Sequence, residues 1–311
     1  MDPTLENTAR GSEDAGPARE AGIPPDGGGG RTRRSFPRKH ALTLALAAVF
    51  LIGLAVLLYP VVSDYINALH QSRVIAEYRE SVTRVDDASY AAYLDEARAY
   101  NGRLNAKSNR FVLSEEERTE YDSLLRVSDT GVMGYLEIPS IRVKLPIYHG
   151  TGEGVLQVGI GHMEGASLPI GGVGTHAVVT GHRGLPSSTL LTDLNKLTEG
   201  DFFMFAILDE VLTYEADHIL TVEPDELDAL DIDPDMDYAT LVTCTPYGIN
   251  SHRLLVRGHR VDNAGGNGVR VAADAIMIKS TLAAMIFAAP MLLGLSIGVF
   301  IKYRRRGERI K

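Results

Sequence analysis

The hydrophobic pattern sets two long uncharged runs apart from the mixed chain between them. Residues 41–62 read ALTLALAAVFLIGLAVLLYPVV, and residues 280–301 read STLAAMIFAAPMLLGLSIGVFI. Each run has about the 20 residues that a helix needs to cross the hydrocarbon core of a bilayer. Pro290 lies inside the second run, where a membrane helix tolerates it better than a soluble one. The pattern predicts transmembrane helices at 41–62 and 280–301.

The region between the two runs changes its periodicity near residue 131. Residues 63–130 place apolar side chains such as Val74, Tyr78 and Val82 at helical spacing. Ser114 followed by Glu117 matches a capping box, which predicts a short helix running to Leu125. These features predict a helical region over 63–130.

From residue 131 the chain reads as short strands separated by turns. The β-branched and aromatic runs are GYLEIP, IRVKLPIYHG, THAVVTG, DFFMFAIL, EVLTYEA, HILTVE, ATLVTC and RLLVRGHRV. Such spacing is typical of an all-β barrel or sandwich, here over 131–262. Asp209-Glu210 predicts a tight hairpin, and Thr189–Lys196 predicts a helical interruption. Residues 263–279 are then a linker to the second apolar run.

Charge gives the two membrane segments an orientation. Residues 1–40 are rich in Gly, Pro and charge, which predicts a disordered tail. Basic residues precede the first apolar run at positions 31–39 and follow the second within the tail 302–311. Because basic flanks stay cytoplasmic, both termini are expected inside and residues 63–279 outside. The net charge of -9 argues against binding of nucleic acid by the folded part.

Cysteine usage points to one position. Cys244 is the only cysteine, which excludes an intramolecular disulfide and a Cys-rich zinc site. It ends the predicted strand TLVTC, and Pro246 and Gly248 follow it in a turn. A thiol at a strand end is well placed to be exposed. It becomes a useful nucleophile only when a cation or base raises its thiolate fraction.

Several residues are candidates to assist the thiol. His182 follows another strand in VVTGHRG, with a glycine on each side of the His-Arg pair. Spacing alone leaves other histidines open, namely His149, His162, His176, His218, His252 and His259. Arg253 begins the strand after the Cys244 turn, so a hairpin would bring its guanidinium beside the thiol to stabilise an oxyanion. Arg183 and Arg257 are its rivals.

These motifs together are similar to those of a known family. TLVTCTPYGINSHRLLVRG resembles the signature of sortases, in particular the pilus-assembling class C enzymes. GHMEGASLPIGG and VVTGHRGLPSSTLLTDLNKLTEGD resemble the histidine region of that family, and GVMGYLEIPSIRVKLPIYHGT its first barrel strands. The resemblance is dense over residues 131–261, and the two-anchor layout also fits class C.

The resemblance implies a mostly β fold, a closed sortase-type barrel with short helices. It implies that Cys244 attacks the Thr–Gly amide of a Leu-Pro-x-Thr-Gly (LPxTG-like) sorting signal and forms a thioester. His182 would serve as general acid and then base, and Arg253 would hold the oxyanion or the signal's backbone. The donor would be an LPxTG-bearing pilin or surface protein, and the acceptor a lysine of a pilin subunit. No cofactor or metal is implied.

Class C enzymes usually carry a lid with an Asp-Pro-aromatic motif, and the matching stretch here lacks Asp-Pro. It holds instead an apolar triplet, Phe111, Val112 and Leu113, within a polar segment. We expect residues 107–117 to form a lid in which Phe111 and Leu113 are the plugs. Two alternatives stay open: a housekeeping sortase that anchors proteins to cell-wall peptide, and a non-catalytic membrane-tethered domain that binds cell wall.

Overall fold

A computed structural model describes residues 38–263 and, beyond them, only Gly294 and Gly298. Apart from Asn263 and those two glycines, the predicted linker, second membrane helix and basic tail lie outside the described residues, as does nearly all of the predicted N-terminal tail. Contacts divide the chain at residue 50, and the fold described below belongs to the unit that begins at Leu51.

Three helices precede the barrel. Helix α1 is Arg38–Thr83, α2 is Asp87–Leu104 and α3 is Glu115–Ser123. Within the described residues, α1 alone is long and apolar enough to cross a membrane, with a mean hydropathy of 2.6 in its apolar part. It continues without interruption past Pro60 and past the predicted end of the membrane segment. The expected capping box at Ser114 and Glu117 opens α3.

Eight strands close into a barrel. They are β1 (Val132–Ile138), β2 (Val143–His149), β3 (Ile160–His162), β4 (Thr175–Thr180), β5 (Phe202–Ile207), β6 (Glu210–Val222), β7 (Asp237–Thr245) and β8 (His252–Val261). A short helix, α4 (Glu153–Leu156), lies between β2 and β3. The strand order is β1-β2-β3-β4-β7-β8-β6-β5. The pairs β2/β3 and β4/β7 are parallel, and the others are antiparallel. The predicted closed barrel is confirmed.

Several local predictions are corrected by the structure. The runs EVLTYEA and HILTVE form one strand, β6, because a bulge between Ala216 and His218 absorbs the break in alternation. The β5–β6 hairpin turns at Leu208 and Asp209, one residue earlier than expected, since Ile207 pairs with Glu210. The hydrophobic pattern does not predict β3, because this strand has only three residues.

The predicted helical interruption at Thr189–Lys196 is limited to one 3-10 turn at Leu194–Lys196. The rest of that segment follows the loop that leaves β4. Its path is held by backbone bonds such as Leu191 N–H to the His182 carbonyl at 3.3 Å.

The outer half of α1 is fixed to the barrel. Tyr78 is fully buried, donates to the Met133 carbonyl at 2.9 Å and accepts from the Leu208 amide at 2.7 Å. Burial raises the pKa of this phenol well above its ordinary value, so it stays a neutral donor. Nearer the membrane segment, Asn67 donates to the Ser187 carbonyl at 2.8 Å. The helix thereby holds the loop that leaves β4.

Candidate active site

Strand pairing brings Cys244 and Arg253 together. They are direct partners across the antiparallel β7/β8 hairpin. Directly opposed residues project to the same face of a sheet, so both side chains lie on the outer face of the barrel. Arg253 Nη1 donates to the carbonyls of His252 at 3.2 Å and Asn250 at 3.4 Å, which holds the guanidinium over the turn. Cys244 is partly exposed.

Parallel pairing of β4 with β7 brings His182 to the same end of the barrel. Thr180 is the register partner of Val242, so the residues two positions further on are His182 and Cys244. The register is fixed beyond the strand by two bonds. The Gly181 amide donates to the Val242 carbonyl at 3.1 Å, and the Thr243 hydroxyl donates to the Gly181 carbonyl at 2.8 Å.

A cavity of about 130 Å³ opens on this outer face beside Arg253. Its floor is made by outward-facing residues of three neighbouring strands, Thr180, Val242 and Leu255. Its wall is the β6–β7 loop, through Pro224, Leu227 and Leu230 among others. The remaining lining residues are Thr151, Met163, Val222 and Glu226. A mainly apolar cavity with an arginine in its lining suits a peptide with apolar side chains.

The segment before α3 reaches the same face. Phe111 packs against the apolar cluster that includes Val242, Leu230 and Leu255, which also line the cavity. Leu113 instead packs against the main hydrophobic core, which includes residues of the helices and of the barrel, and Val112 is 63% exposed. Of the three residues predicted for the lid, Phe111 alone contacts the surface beside the cavity.

Arg110 anchors that segment. It is buried, its Nη1 donates to the Gly165 carbonyl at 2.9 Å and its Nη2 to the Leu230 carbonyl at 2.6 Å. Its guanidinium also stacks 4.2 Å from the centre of the Phe111 ring. Gly165 has a φ of +84°, and a Cβ there would meet the Arg110 carbonyl oxygen at 2.2 Å, so the close approach of the two backbones requires glycine.

Two of the other histidines that spacing left open are buried and have structural partners. His162 is fully buried between the Tyr121 hydroxyl at 2.9 Å and the Ser167 carbonyl at 2.8 Å. His176 lies between the Asp231 carbonyl at 2.8 Å and the Thr240 hydroxyl at 2.7 Å. Burial lowers the pKa of both imidazoles to about 4. They are therefore neutral members of the core.

The remaining candidates lie off the site. His149 contacts the Leu124 carbonyl at 2.7 Å, His218 is exposed on β6, and His259 faces Asp217 at 3.4 Å. His252 is the partner of Thr245, so it projects to the face opposite Cys244. Among the six histidines that spacing left open beside His182, the described structure therefore places none on the Cys244 face at the Cys244 end of β7.

The rival arginines differ in position. Arg257 pairs with Thr240, four residues down β8, where it bonds Asp217 at 3.0 Å and stacks 4.3 Å from the Tyr238 ring centre. It is too far along the strand to reach a substrate at Cys244. Arg183 donates to the Thr245 hydroxyl at 3.1 Å and so lies beside the turn that follows the thiol. Arg253 remains the direct partner of Cys244.

Two residues near the site were missed by the sequence reasoning. Glu153, the first residue of α4, places Oε2 at 3.6 Å from His182 Nε2. Nothing in the sequence marks it, because β2 and the His182 loop are distant along the chain. Arg110 directly precedes the apolar triplet and is not among the residues singled out from the sequence. The available signal was an arginine directly before Phe111, an aromatic residue within a polar segment. This pair indicates that the segment packs against the barrel.

Comparison with known proteins places these features in a family. The family described as "Sortase domain" matches residues 136–261. The structure is similar to sortase C1 of Streptococcus agalactiae, with 52% identity, a TM-score of 0.59, and coverage of 61% of this chain and 99% of that one. It is also similar to sortase C of Clostridium perfringens solved with the C-terminal cell wall sorting motif. There the identity is 42%, the TM-score 0.55, and the coverage 61% and 99%.

Curated sequences give a shorter match. Sortase D of Bacillus subtilis is 29% identical over 131 residues, covering 41% of this chain and 63% of that protein. The chain spans less than two thirds of the length of the curated relatives it matches.

Proposed function

We propose that this chain, which belongs to the sortase family, is a pilus-assembling cysteine transpeptidase of class C. The observation that carries the proposal is the pairing of Cys244 with Arg253 across the β7/β8 hairpin, with His182 two residues beyond the end of β4, the strand paired with β7. This arrangement supports Cys244 as the nucleophile, His182 as the proton carrier and Arg253 as the cation. That constellation suits acyl transfer through a covalent intermediate.

In the first half-reaction the Cys244 thiolate attacks the carbonyl carbon of the threonine in an LPxTG-like sorting signal. Arg253 stabilises the oxyanion that forms, since its guanidinium stays charged and offers several donors. His182 protonates the leaving glycine nitrogen, the C–N bond breaks, and the donor protein is held as a thioester. The apolar cavity beside Arg253 accepts the residues that precede the threonine.

In the second half-reaction the amine of a lysine on another pilin subunit attacks the thioester. His182, now neutral, takes a proton from the attacking nitrogen, and the Cys244 thiolate leaves. The product is an isopeptide bond between subunits. Similarity to sortase C structures, including the one solved with a sorting motif, supports the pilus type over a housekeeping enzyme.

The segment 107–117 is proposed to act as the lid of this site. Phe111 covers the apolar face beside the cavity, and Arg110 holds the segment to the Gly165 and Leu230 carbonyls. This arrangement replaces the Asp-Pro-aromatic contact of class C lids by a buried arginine. Leu113 is partly buried against the main core, which supports Phe111 rather than Leu113 as the plug.

We place the barrel outside the cell, held by both apolar runs, with the two termini in the cytoplasm. The basic flanks support this orientation. The bond from Asn67 to Ser187 lies only a few residues beyond the predicted end of the first span. At about 1.5 Å of rise per residue, the loop that carries His182 would stand close to the membrane surface, where a membrane-retained sorting signal is presented.

The test is polymerisation of a pilin that carries one LPxTG-like signal and one acceptor lysine. The full chain in detergent should yield a ladder whose subunits are joined by a threonine–lysine isopeptide bond, identified by mass spectrometry. Cys244→Ala should yield no ladder. Transfer to a cell-wall peptide amine with no pilin ladder would favour the housekeeping activity instead.

A further inference from the structure

Glu153 lies beside the imidazole of His182. Its Oε1 accepts from Gln157 Nε2 at 2.6 Å, one turn further along the chain. Its Oε2 faces His182 Nε2 at 3.6 Å. One carboxylate oxygen is thus held in place, and the other is directed at the imidazole.

A third group can reach His182 Nε2 only when the Glu153 carboxylate moves, because this nitrogen is buried in the described structure. At 3.6 Å the two atoms are too far apart for a hydrogen bond, and the buried His182 Nε2 has no hydrogen-bond partner among the described residues. Two atoms at this separation can both lie within hydrogen-bonding distance of one nitrogen placed beside them. Glu153 is 72% exposed, so its carboxylate can move aside as such a group enters.

The chemistry of Glu153 Oε2 and His182 Nε2 determines which kind of group can bind between them. A carboxylate oxygen and the lone pair of a neutral imidazole both accept hydrogen bonds. A primary alkylammonium carries three donors on one nitrogen and can satisfy both acceptors while keeping one proton in water. A neutral or anionic group could not satisfy the carboxylate equally well.

We propose that Glu153 and His182 form the binding site for the protonated side-chain amine of the acceptor lysine. This inference rests on the proposed function and deepens it, because it assigns the second substrate a place at the site. Glu153 acts as a specificity residue for the acceptor, and the sorting signal lies in the cavity beside Arg253.

Proton balance fits this placement. The acceptor nitrogen arrives as an ammonium and must lose two protons before it becomes an amide nitrogen. The first passes to water as the nitrogen moves from the carboxylate towards the thioester. The new C–N bond then forms, the C–S bond breaks, and the second proton passes to the imidazole of His182. This restores the imidazolium and the Cys244 thiolate with which the cycle begins.

The experiment separates binding of the amine from chemistry at the thioester. The full chain in detergent is first acylated with a sorting-signal peptide, and the decay of the acyl-enzyme is followed with two nucleophiles. One is a short peptide with a single lysine, which is cationic at neutral pH. The other is hydroxylamine, which is uncharged there. Glu153→Gln should raise the KM for the lysine peptide about fivefold, as expected for a largely exposed ion pair, and leave transfer to hydroxylamine unchanged.

Glu223→Gln is the matched control. The Glu223 carboxylate is 69% exposed and faces His252 Nε2 at 3.3 Å, a similar contact on the opposite side of the β7/β8 hairpin. This variant should transfer to both nucleophiles as the natural chain does. A second measurement needs no substitution: added salt should weaken transfer to the lysine peptide and not to hydroxylamine, because exposed charge pairs are screened.

Equal losses with both nucleophiles in Glu153→Gln would overturn the proposal, since Glu153 would then act only through the position of His182. Unchanged KM for the lysine peptide together with salt-independent transfer would also overturn it. Failure of the proposed function has a different signature: the natural chain would form no acyl-enzyme before any nucleophile is added.

Discussion

Cys244 and Arg253 share a face of the barrel because directly paired residues on antiparallel strands project the same way. The sequence was sufficient to predict this pairing, since only a short turn separates the two strands. Choosing Arg253 over the other arginines as the residue beside the thiol required the register of β7 and β8. Arg257 lies four residues further along β8 and is bonded to Asp217.

At this scale we predict that Arg253→Lys loses most transpeptidation although the charge is kept. An ammonium cannot reproduce a planar group with several donors, so the expected loss in transition-state stabilisation is about 2.7–4 kcal/mol if Arg253 contacts the oxyanion. The measurement is kcat/KM for a sorting-signal peptide. Arg257→Lys, on the same strand and face, is the control. A near-normal rate in the Arg253 variant would move the role to Arg183.

His176 leads to a prediction about stability and pH. Desolvation lowers its pKa to about 4, assisted by the charges of Arg110 and Arg257. At pH values below the ordinary histidine pKa of about 6.5, His176 binds a proton in the unfolded chain but stays neutral in the folded chain. The free energy of unfolding therefore falls as the pH drops from 6.5 to 4, by about 3 kcal/mol for this residue.

The check is the unfolding free energy of the full chain in detergent between pH 7 and 4. His176→Gln should show a shallower decline with falling pH than the natural chain. His218→Gln, at an exposed histidine of β6, should keep the natural decline. Superimposable slopes for His176→Gln and the natural chain would show that His176 is not held neutral. Which histidines are buried could not be read from spacing, because burial is decided by the elements that pack over them.

At the scale of elements, the strands beneath the cavity carry a signal of their own. The central stretches of β4, β7 and β8 are apolar at consecutive positions, as in Val178-Val179, Leu241-Val242 and Leu254-Leu255. Strands buried on both faces read this way, whereas a solvated face gives alternation. The sequence thus indicated that something covers the outer face. It did not reveal that the β6–β7 loop and the segment at Phe111 are the cover.

We predict that Phe111→Ala opens the lid. Phe111 is partly buried on the cluster beside the cavity, and losing that contact should cost the closed state about 1.5 kcal/mol. That change raises the open fraction roughly tenfold. The measurement is the rate at which a bulky thiol reagent labels Cys244.

Val112→Ala is the control for this experiment, because Val112 is largely exposed in the same segment. Its labelling rate should match that of the natural chain. Equal rates for Phe111→Ala and the natural chain would mean that residues 107–117 do not gate the thiol. Phe111 is substituted alone because Leu113 packs against the main core. Replacing Leu113 would change the stability of the fold instead of the lid.

At the scale of the whole molecule, hydrogen bonds attach the helical region to the barrel. Tyr78 and Asn67 of α1 bond to the barrel and to the loop that follows His182. The hydrophobic pattern predicted the membrane segment and the helices. It could not predict their attachment, which depends on hydrogen bonds between residues 55 or more positions apart.

The orientation leads to a prediction on intact cells. Protease added outside should degrade the barrel domain and spare a tag at either terminus, because both basic flanks are expected in the cytoplasm. A cytoplasmic protein is the control for cell integrity. Loss of both terminal tags from outside, with that control intact, would show that the topology is wrong.

The central claim is that Cys244 carries the donor protein as a thioester, and one measurement tests it most directly. The full chain in detergent is incubated with a sorting-signal peptide without any acceptor amine, quenched in acid and examined by intact mass and peptide mapping. We predict a mass increase equal to the peptide cleaved after threonine, located on Cys244, absent in Cys244→Ala and removed by hydroxylamine. Cleavage of the peptide with no adduct on Cys244, or an adduct that persists in Cys244→Ala, would contradict the account.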